Sequence, residues 1–375
     1  MTFRFLIHCL LVFLVAILPA AAQDDAQKAK DALIVRTLLR LPGIDLSAKP
    51  EAKAALLRHL ETLKGTEQYL DIADKFQLRE TKDELLKLAV EHGDSSLGVK
   101  AAGLLVKLGE KDVVAKALAD PDPAKAARFI AALGLLADAK TNDLLAPLVT
   151  NSQNSTAIRT VAVTALGRNA PGQKWLLATV EQGLLLEDCK FAAANALLSS
   201  ADDAIRTAAG KHLSLPAAAG GEPLPPIAEL VKRSGDAARG KELFFGVTAQ
   251  CAKCHKAKGE GKDVGPDLSE IGSKLSKEAL YLSILDPSAG VSFNYETWVV
   301  RDFNGTILSG VLVSQTDAEV ELKTVESIVH KLKKADIDQM KKSPLSLMPA
   351  DLQKQLKAQD LVDIVEYLAM LKKEQ

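Results

Sequence analysis

The sequence predicts a mainly α protein in two unequal parts: an N-terminal α-solenoid, then a smaller helical domain into which a small antiparallel β-sheet is inserted. Three observations carry this. Apolar residues recur at helical spacing from about residue 26 to 215, broken by short Gly, Pro, Asn and Asp clusters. A Pro/Gly/Ala stretch follows, and beyond it alternating apolar and polar runs flank Asn304-Gly305, a tight-hairpin signal. The chain of 375 residues is 47% hydrophobic with a net charge of −1, which describes a globular protein of two or three domains. No basic stripe interleaved with aromatics is present, and Lys331 to Lys334 and Lys341-Lys342 have acids nearby, so nucleic acid is not an expected partner.

Residues 1–22 have the layout of a cleaved secretory signal: basic Arg4, an apolar run from Phe5 to Leu18, and Ala20-Ala21-Ala22 before Gln23. The expected mature chain is periplasmic or secreted and has no membrane span. Cys9 lies inside the apolar run rather than just after the cleavage site, which speaks against a lipid anchor. Retention as an uncleaved anchor is the alternative.

Residues 23–215 contain a loose repeat. Val99 to Ala102 lead to Leu108-Gly109, Ala126 to Phe129 to Leu133-Gly134, Ile158 to Ala162 to Leu166-Gly167, and Lys190 to Ala194 to Leu197-Leu198. The glycines recur at roughly 25 to 33 residues, with small residues placed for close helix packing. The pattern resembles degenerate HEAT repeats; a non-repeating helical domain is the alternative. Pro121-Asp122-Pro123 fits an inter-helix turn, and Cys189 a buried helix thiol. His59, His92 and His212 stand singly without Cys or carboxylate at ligand spacing, so they read as ordinary histidines. Residues 216–229, rich in Pro, Gly and Ala, read as a semi-rigid linker between independently folding parts.

In residues 230–375, Cys251-Ala252-Lys253-Cys254-His255 is the pattern that attaches one haem covalently. Two thiols three positions apart form thioethers to the haem vinyl groups, and the adjacent imidazole reaches the iron. Random placement of the chain's four Cys and six His would give about 0.0007 such matches. The lesser readings are a redox dithiol or half a zinc site, and no second Cys pair exists to complete the latter. For the second axial ligand the mature chain offers Met340, Met348, Met370 and His330. Met348 is the best placed, because it precedes Pro349 in a loop before the last predicted helix, where proline favours a rigid extended turn.

Gly235 to Phe244, Cys251 to His255, Gly265-Pro266-Asp267-Leu268, Ile284 to Ser288, Ser346 to Pro349 and Val365 to Leu368 together resemble a cytochrome c domain. More narrowly, they are similar to the haem-binding domains of planctomycete and verrucomicrobial secreted proteins, often joined there to HEAT repeats or a dehydrogenase module. The resemblance implies that the helices bearing Gly240 and Phe244 and bearing Tyr367 cross. It also implies that the Pro266 carbonyl accepts the second imidazole proton of His255 and that Met348 lies in the ligand loop.

The long stretch between His255 and Met348 departs from a minimal domain. Thr297 to Val300, Ile307 to Val313, Val320 to Lys323 and Ile328 to His330 read as strands, so a small antiparallel sheet is expected over about 294–333. It either covers a haem edge or docks a redox partner, or is purely structural. The favoured function is a monohaem electron carrier with a helical-repeat docking domain and a redox partner protein, of dehydrogenase type by family analogy. A haem-based sensor or scaffold and a haem enzyme with an open iron site are the alternatives, and no catalytic residues are assigned.

Overall fold

The computed structural model describes residues 20–93, 95–292 and 294–373. The expected signal at 1–22, with Cys9, falls almost wholly outside the described residues; they begin with a helix, α1 (Ala20–Arg40). Eleven further helices follow: α2 (Pro50–Glu61), α3 (Glu67–Lys75), α4 (Lys82–Glu91), α5 (Ser96–Lys107), α6 (Lys111–Leu118), α7 (Pro123–Leu135), α8 (Asn142–Thr150), α9 (Thr156–Leu166), α10 (Ala170–Glu181), α11 (Lys190–Leu198) and α12 (Asp203–Ala209). Their starts are chemically marked. Thr66, Ser95, Asp122, Ser155, Asn169 and Asp202 each accept a first-turn N–H through the side chain. Asp122 and Pro123 together make the expected turn, with the proline as first residue of α7.

Helices α5, α7, α9 and α11 pack one on the next, while α8 and α10 lie beside α9, and α10 and α12 beside α11. One continuous apolar core runs through them from Val35 to Leu215. Gly134 and Gly167 make the close approaches in this row. A Cβ at Gly167 would stand 2.5 Å from Ala196 Cβ, and one at Gly134 would overlap Ala165 Cβ. Gly109 plays a different part: its φ of +71° ends a helix, and the packing glycine of that unit is Gly103, against Leu136. Cys189 is fully buried, in a 3₁₀ turn leading into α11.

Residues 216–229 are folded against the rest rather than strung between two bodies. The Ala217 and Pro223 backbones bridge, Ala219 N–H donates to the Leu356 carbonyl at 2.9 Å, and Ala218 and Leu224 join the C-terminal core. A short helix, α13 (Ile227–Leu230), starts within the stretch. Asn195 Oδ1 of α11 accepts the Ile227 N–H at 2.9 Å, and Phe191 packs against both apolar cores.

The C-terminal part has three longer helices, α14 (Ala237–Phe245), α15 (Lys277–Leu285) and α16 (Ala358–Met370), and two antiparallel sheets. A two-residue pair, β1 (Lys256–Ala257) with β2 (Glu260–Gly261), forms the smaller sheet. The larger contains β3 (Thr297–Asp302), β4 (Ile307–Gln315), β5 (Glu319–Lys323), β6 (Val329–Lys333) and β7 (Ile337–Lys342), in spatial order β6-β5-β4-β3-β7. Around Asn304-Gly305, Asp302 pairs with Thr306, and Gly305 takes φ +85° at the end of a three-residue loop. Val300, Val320 and Leu322 are the sheet's buried centre.

The sheet runs to Lys342, beyond the expected limit of 333. Its missing strand, β7, pairs with β3 through a register shift between Arg301 and Asp302, which leaves Asp338 without an opposite number. The bulge puts Ile337 and Met340 on one face despite their odd spacing, so the segment has no strand-like alternation.

Candidate haem site

The site is built on the crossing of α14 and α16. A Cβ at Gly240 would stand 2.9 Å from Tyr367 Cβ and inside the Asp363 carbonyl oxygen, so glycine lets the two backbones touch. Phe244 meets Tyr367 edge to face, with ring centroids 5.6 Å apart. Arg239 of α14 pairs with Asp360 and the buried Asp363 of α16, and Asp363 also accepts the Asp236 N–H at 2.9 Å. These contacts are the crossing that the motifs implied.

After α14 the chain turns at Gln250, which has φ +55°, into one 3₁₀ turn, Cys251–Lys253. His255 N–H donates to the Cys251 carbonyl at 2.9 Å, so both thiols and the imidazole sit on a single backbone turn. Gly265 N–H donates to the Cys254 carbonyl at 2.8 Å and brings the next loop across the ring. The Pro266 carbonyl lies 2.8 Å from His255 Nδ1. A carbonyl only accepts, so Nδ1 carries the hydrogen and Nε2 keeps its lone pair. Gly265 stands against the ring face, where a Cβ would be 2.5 Å from Cε1.

Cys251, Cys254, His255, Pro266 and Met348 all line one cavity of about 590 Å³. Its walls are mostly apolar, with Phe244, Leu268, Ile284, Ile364 and Leu368 among them. Burial pushes the Cys251 thiol up to about 12, raises that of Cys254, and lowers His255 against the opposing pull of the Pro266 carbonyl. At neutral pH the site therefore offers two neutral thiols and a neutral imidazole. An apolar slot with this donor set fits a haem.

Met348 reaches the lining on a fastened loop. Its N–H donates to Ser346 Oγ at 3.1 Å, and Ser346 N–H donates to Ser288 Oγ at 3.1 Å, in the turn after α15. The other ligand candidates are elsewhere: Met340 packs under the sheet, Met370 is 66% exposed at the end of α16, and His330 is on β6. Sequence reasoning missed the residues that the sheet contributes. Val311 of β4 and Val325, between β5 and β6, stand in the cavity wall, and nothing in the sequence around either residue marks that role.

Residues 237–295 match a family model described as Cytochrome c. This segment is a cytochrome c domain. The match covers α14, the haem motif, the Gly265-Pro266 loop and α15, and it ends before β3. It implies a covalently bound c-type haem and an electron-transfer protein. No curated protein matches the chain. Among the described residues no helix is long and apolar enough to cross a membrane, and no cluster of His, Cys, Asp and Glu forms a further metal site.

Proposed function

We propose that the chain is a monohaem c-type cytochrome of the planctomycete and verrucomicrobial type, exported to the periplasm or secreted after loss of residues 1–22. The observation that carries this reading is the meeting of Cys251, Cys254, His255 and Met348 on one apolar cavity. The Cys251 and Cys254 thiols would hold the haem covalently, as thioethers to its two vinyl groups. His255, oriented by the Pro266 carbonyl, and Met348 would hold the iron of a haem bound there through Nε2 and Sδ. Bound there, the iron supplies a one-electron couple. The protein's part is to exclude water with apolar walls, hold the ring nitrogen in one tautomer and keep the methionine loop pinned.

Residues 23–215 are a HEAT-like α-solenoid that docks a redox partner protein, a dehydrogenase by family analogy; the row of α5, α7, α9 and α11 and its glycine contacts support this. Residues 216–229 join it to the haem domain, 230–375, which carries the sheet. Replacing Cys251 and Cys254 together by Ala is expected to abolish haem staining after denaturation. Met348→Ala is expected to keep the stain but lose the sulfur-to-iron charge-transfer band of the ferric protein, lower the potential and admit carbon monoxide. A band that survives Met348→Ala and disappears in Met340→Ala or Met370→Ala would overturn the ligand assignment.

A further inference from the structure

The loop that carries Met348 leaves the sheet at Lys342 and reaches a 3₁₀ turn at Leu352. It contains no helix or strand, and Ser343 N–H, which donates to the Thr297 carbonyl at 2.8 Å, makes its last backbone bond to the sheet. Beyond that point the hydrogen bonds all go to serine hydroxyls. Leu345 N–H donates to Ser343 Oγ at 3.0 Å and Met348 N–H to Ser346 Oγ at 3.1 Å, each reaching two residues back within the loop. The third bond runs from Ser346 N–H to Ser288 Oγ at 3.1 Å. Among the described residues it is the one hydrogen bond that joins residues 344–350 to another part of the chain.

Ser288 is itself firmly held. It follows Asp286 and Pro287 at the end of α15, where Asp286 N–H donates to the Leu282 carbonyl at 2.8 Å and Ala289 N–H to the Asp286 carbonyl at 3.0 Å. Pro287 and Ala289 on either side are buried, and the proline ring fixes its own φ. Ile284 and Pro287 stand in the same cavity wall as Ser346 and Met348. The Ser346 to Ser288 bond spans 58 residues, with the whole inserted sheet between its two ends. It therefore closes the neck of the insertion, tying the chain before the sheet to the methionine loop after it.

We propose that Ser288 is a positioning residue for Met348: its hydroxyl holds the neck closed and sets how often the methionine leaves the cavity. This rests on the reading of Met348 as an axial ligand. A loop without regular backbone bonds opens in proportion to the few contacts that close it, and one hydrogen bond changes that population about fivefold. The segment from Ile284 to Ser288 then has two tasks, since Ile284 and Pro287 supply wall and Ser288 secures the ligand loop.

The test is an imidazole titration of the full, haem-loaded ferric chain, read by loss of the sulfur-to-iron charge-transfer band. Imidazole reaches the iron only when the methionine has swung away, so its apparent affinity rises with the open fraction. Ser288→Ala is expected to bind imidazole about fivefold more tightly than wild type, and Ser288→Thr, which keeps the hydroxyl, to match wild type. Tyr281→Phe removes the bond from the buried Tyr281 hydroxyl to the Leu230 carbonyl in the same core. It is expected to lower the melting temperature and leave imidazole affinity unchanged. Equal affinities in Ser288→Ala and wild type overturn the proposal. So does the same gain in Ser288→Thr, or in Tyr281→Phe, where it would mean general loosening of the domain. If Ser288→Ala does not accumulate, hydrogen exchange of the wild-type protein decides: a Ser346 amide that exchanges as fast as the unbonded Leu347 amide overturns the proposal, and a protected one supports it. Wild-type ferric protein without the band defeats the ligand assignment instead, so the two failures are told apart.

Discussion

Replacing Gly265 by alanine puts a methyl group 2.5 Å from Cε1 and 2.8 Å from Nδ1 of His255. Contacting heavy atoms settle at about 3.5–4.0 Å, so the imidazole has to retreat by about 1 Å. The loop cannot retreat in its place without breaking the 2.8 Å bond from Gly265 N–H to the Cys254 carbonyl. A retreat of that size stretches the 2.8 Å link from Nδ1 to the Pro266 carbonyl beyond hydrogen-bond length. The lost bond is worth about 1 kcal/mol and the overpacking about 1–3 kcal/mol, so the expected cost is about 2–4 kcal/mol. An imidazole that no longer donates through Nδ1 is a weaker donor at Nε2, which disfavours the ferric state. If about 1 kcal/mol of the change separates the two oxidation states, the midpoint rises by about 40 mV. Calorimetry and a spectroelectrochemical titration of the haem-loaded variant measure the two effects. A Gly265→Ala protein with the wild-type midpoint and melting temperature would refute the reasoning.

Two further outcomes follow from buried groups. Burial, reinforced by Asp188, pushes the Asp286 carboxyl up from 3.8 to about 6, and its Oδ2 has no hydrogen-bond partner. Between these values the folded protein holds the proton that the unfolded chain has released, so stability falls as pH rises from about 4 to about 6, by up to about 3 kcal/mol. Asp286→Asn is expected to match wild type near pH 4 and to exceed it at pH 7.5 in chemical denaturation; parallel curves at the two pH values would contradict this. Burial also lifts the Cys189 thiol to about 11, so a chain of residues 23–375 with haem attached is expected to resist alkylation while folded and to take one label per chain when denatured. Three labels would show that Cys251 and Cys254 are not thioethers.

Much of the site was legible because its chemistry is local in sequence. Two thiols and an imidazole on one turn need only five residues, and Met348 next to Pro349 marks a loop by itself. Asn304-Gly305 likewise marked a hairpin, since the left-handed φ at Gly305 is a property of the residue. The features that escaped depend on distant partners. The proline-rich 216–229 segment has the composition of a tether, but the Leu356 carbonyl, far along the chain, is what orders it. Gly109 looked like Gly134 and Gly167 in the repeat, and only the packed neighbours separate a helix-ending glycine from two contact glycines. Lys323 reads as one more solvated lysine until β5 is placed beside the loop that carries Asp263.

Phe191 belongs to both apolar cores, and the Asn195 amide oxygen holds the first residue of α13. The helical rows are thereby packed directly against the C-terminal core. Tethered carriers sample a range of separations, and linker length sets the effective concentration of their partners. A partner docked on the rows, as proposed above, would meet the haem edge at a range set by this packing. Electron exchange within such a complex would then follow a single exponential, its rate set by the geometry of the seam around Phe191 and insensitive to residues inserted at exposed positions of the 216–229 loop.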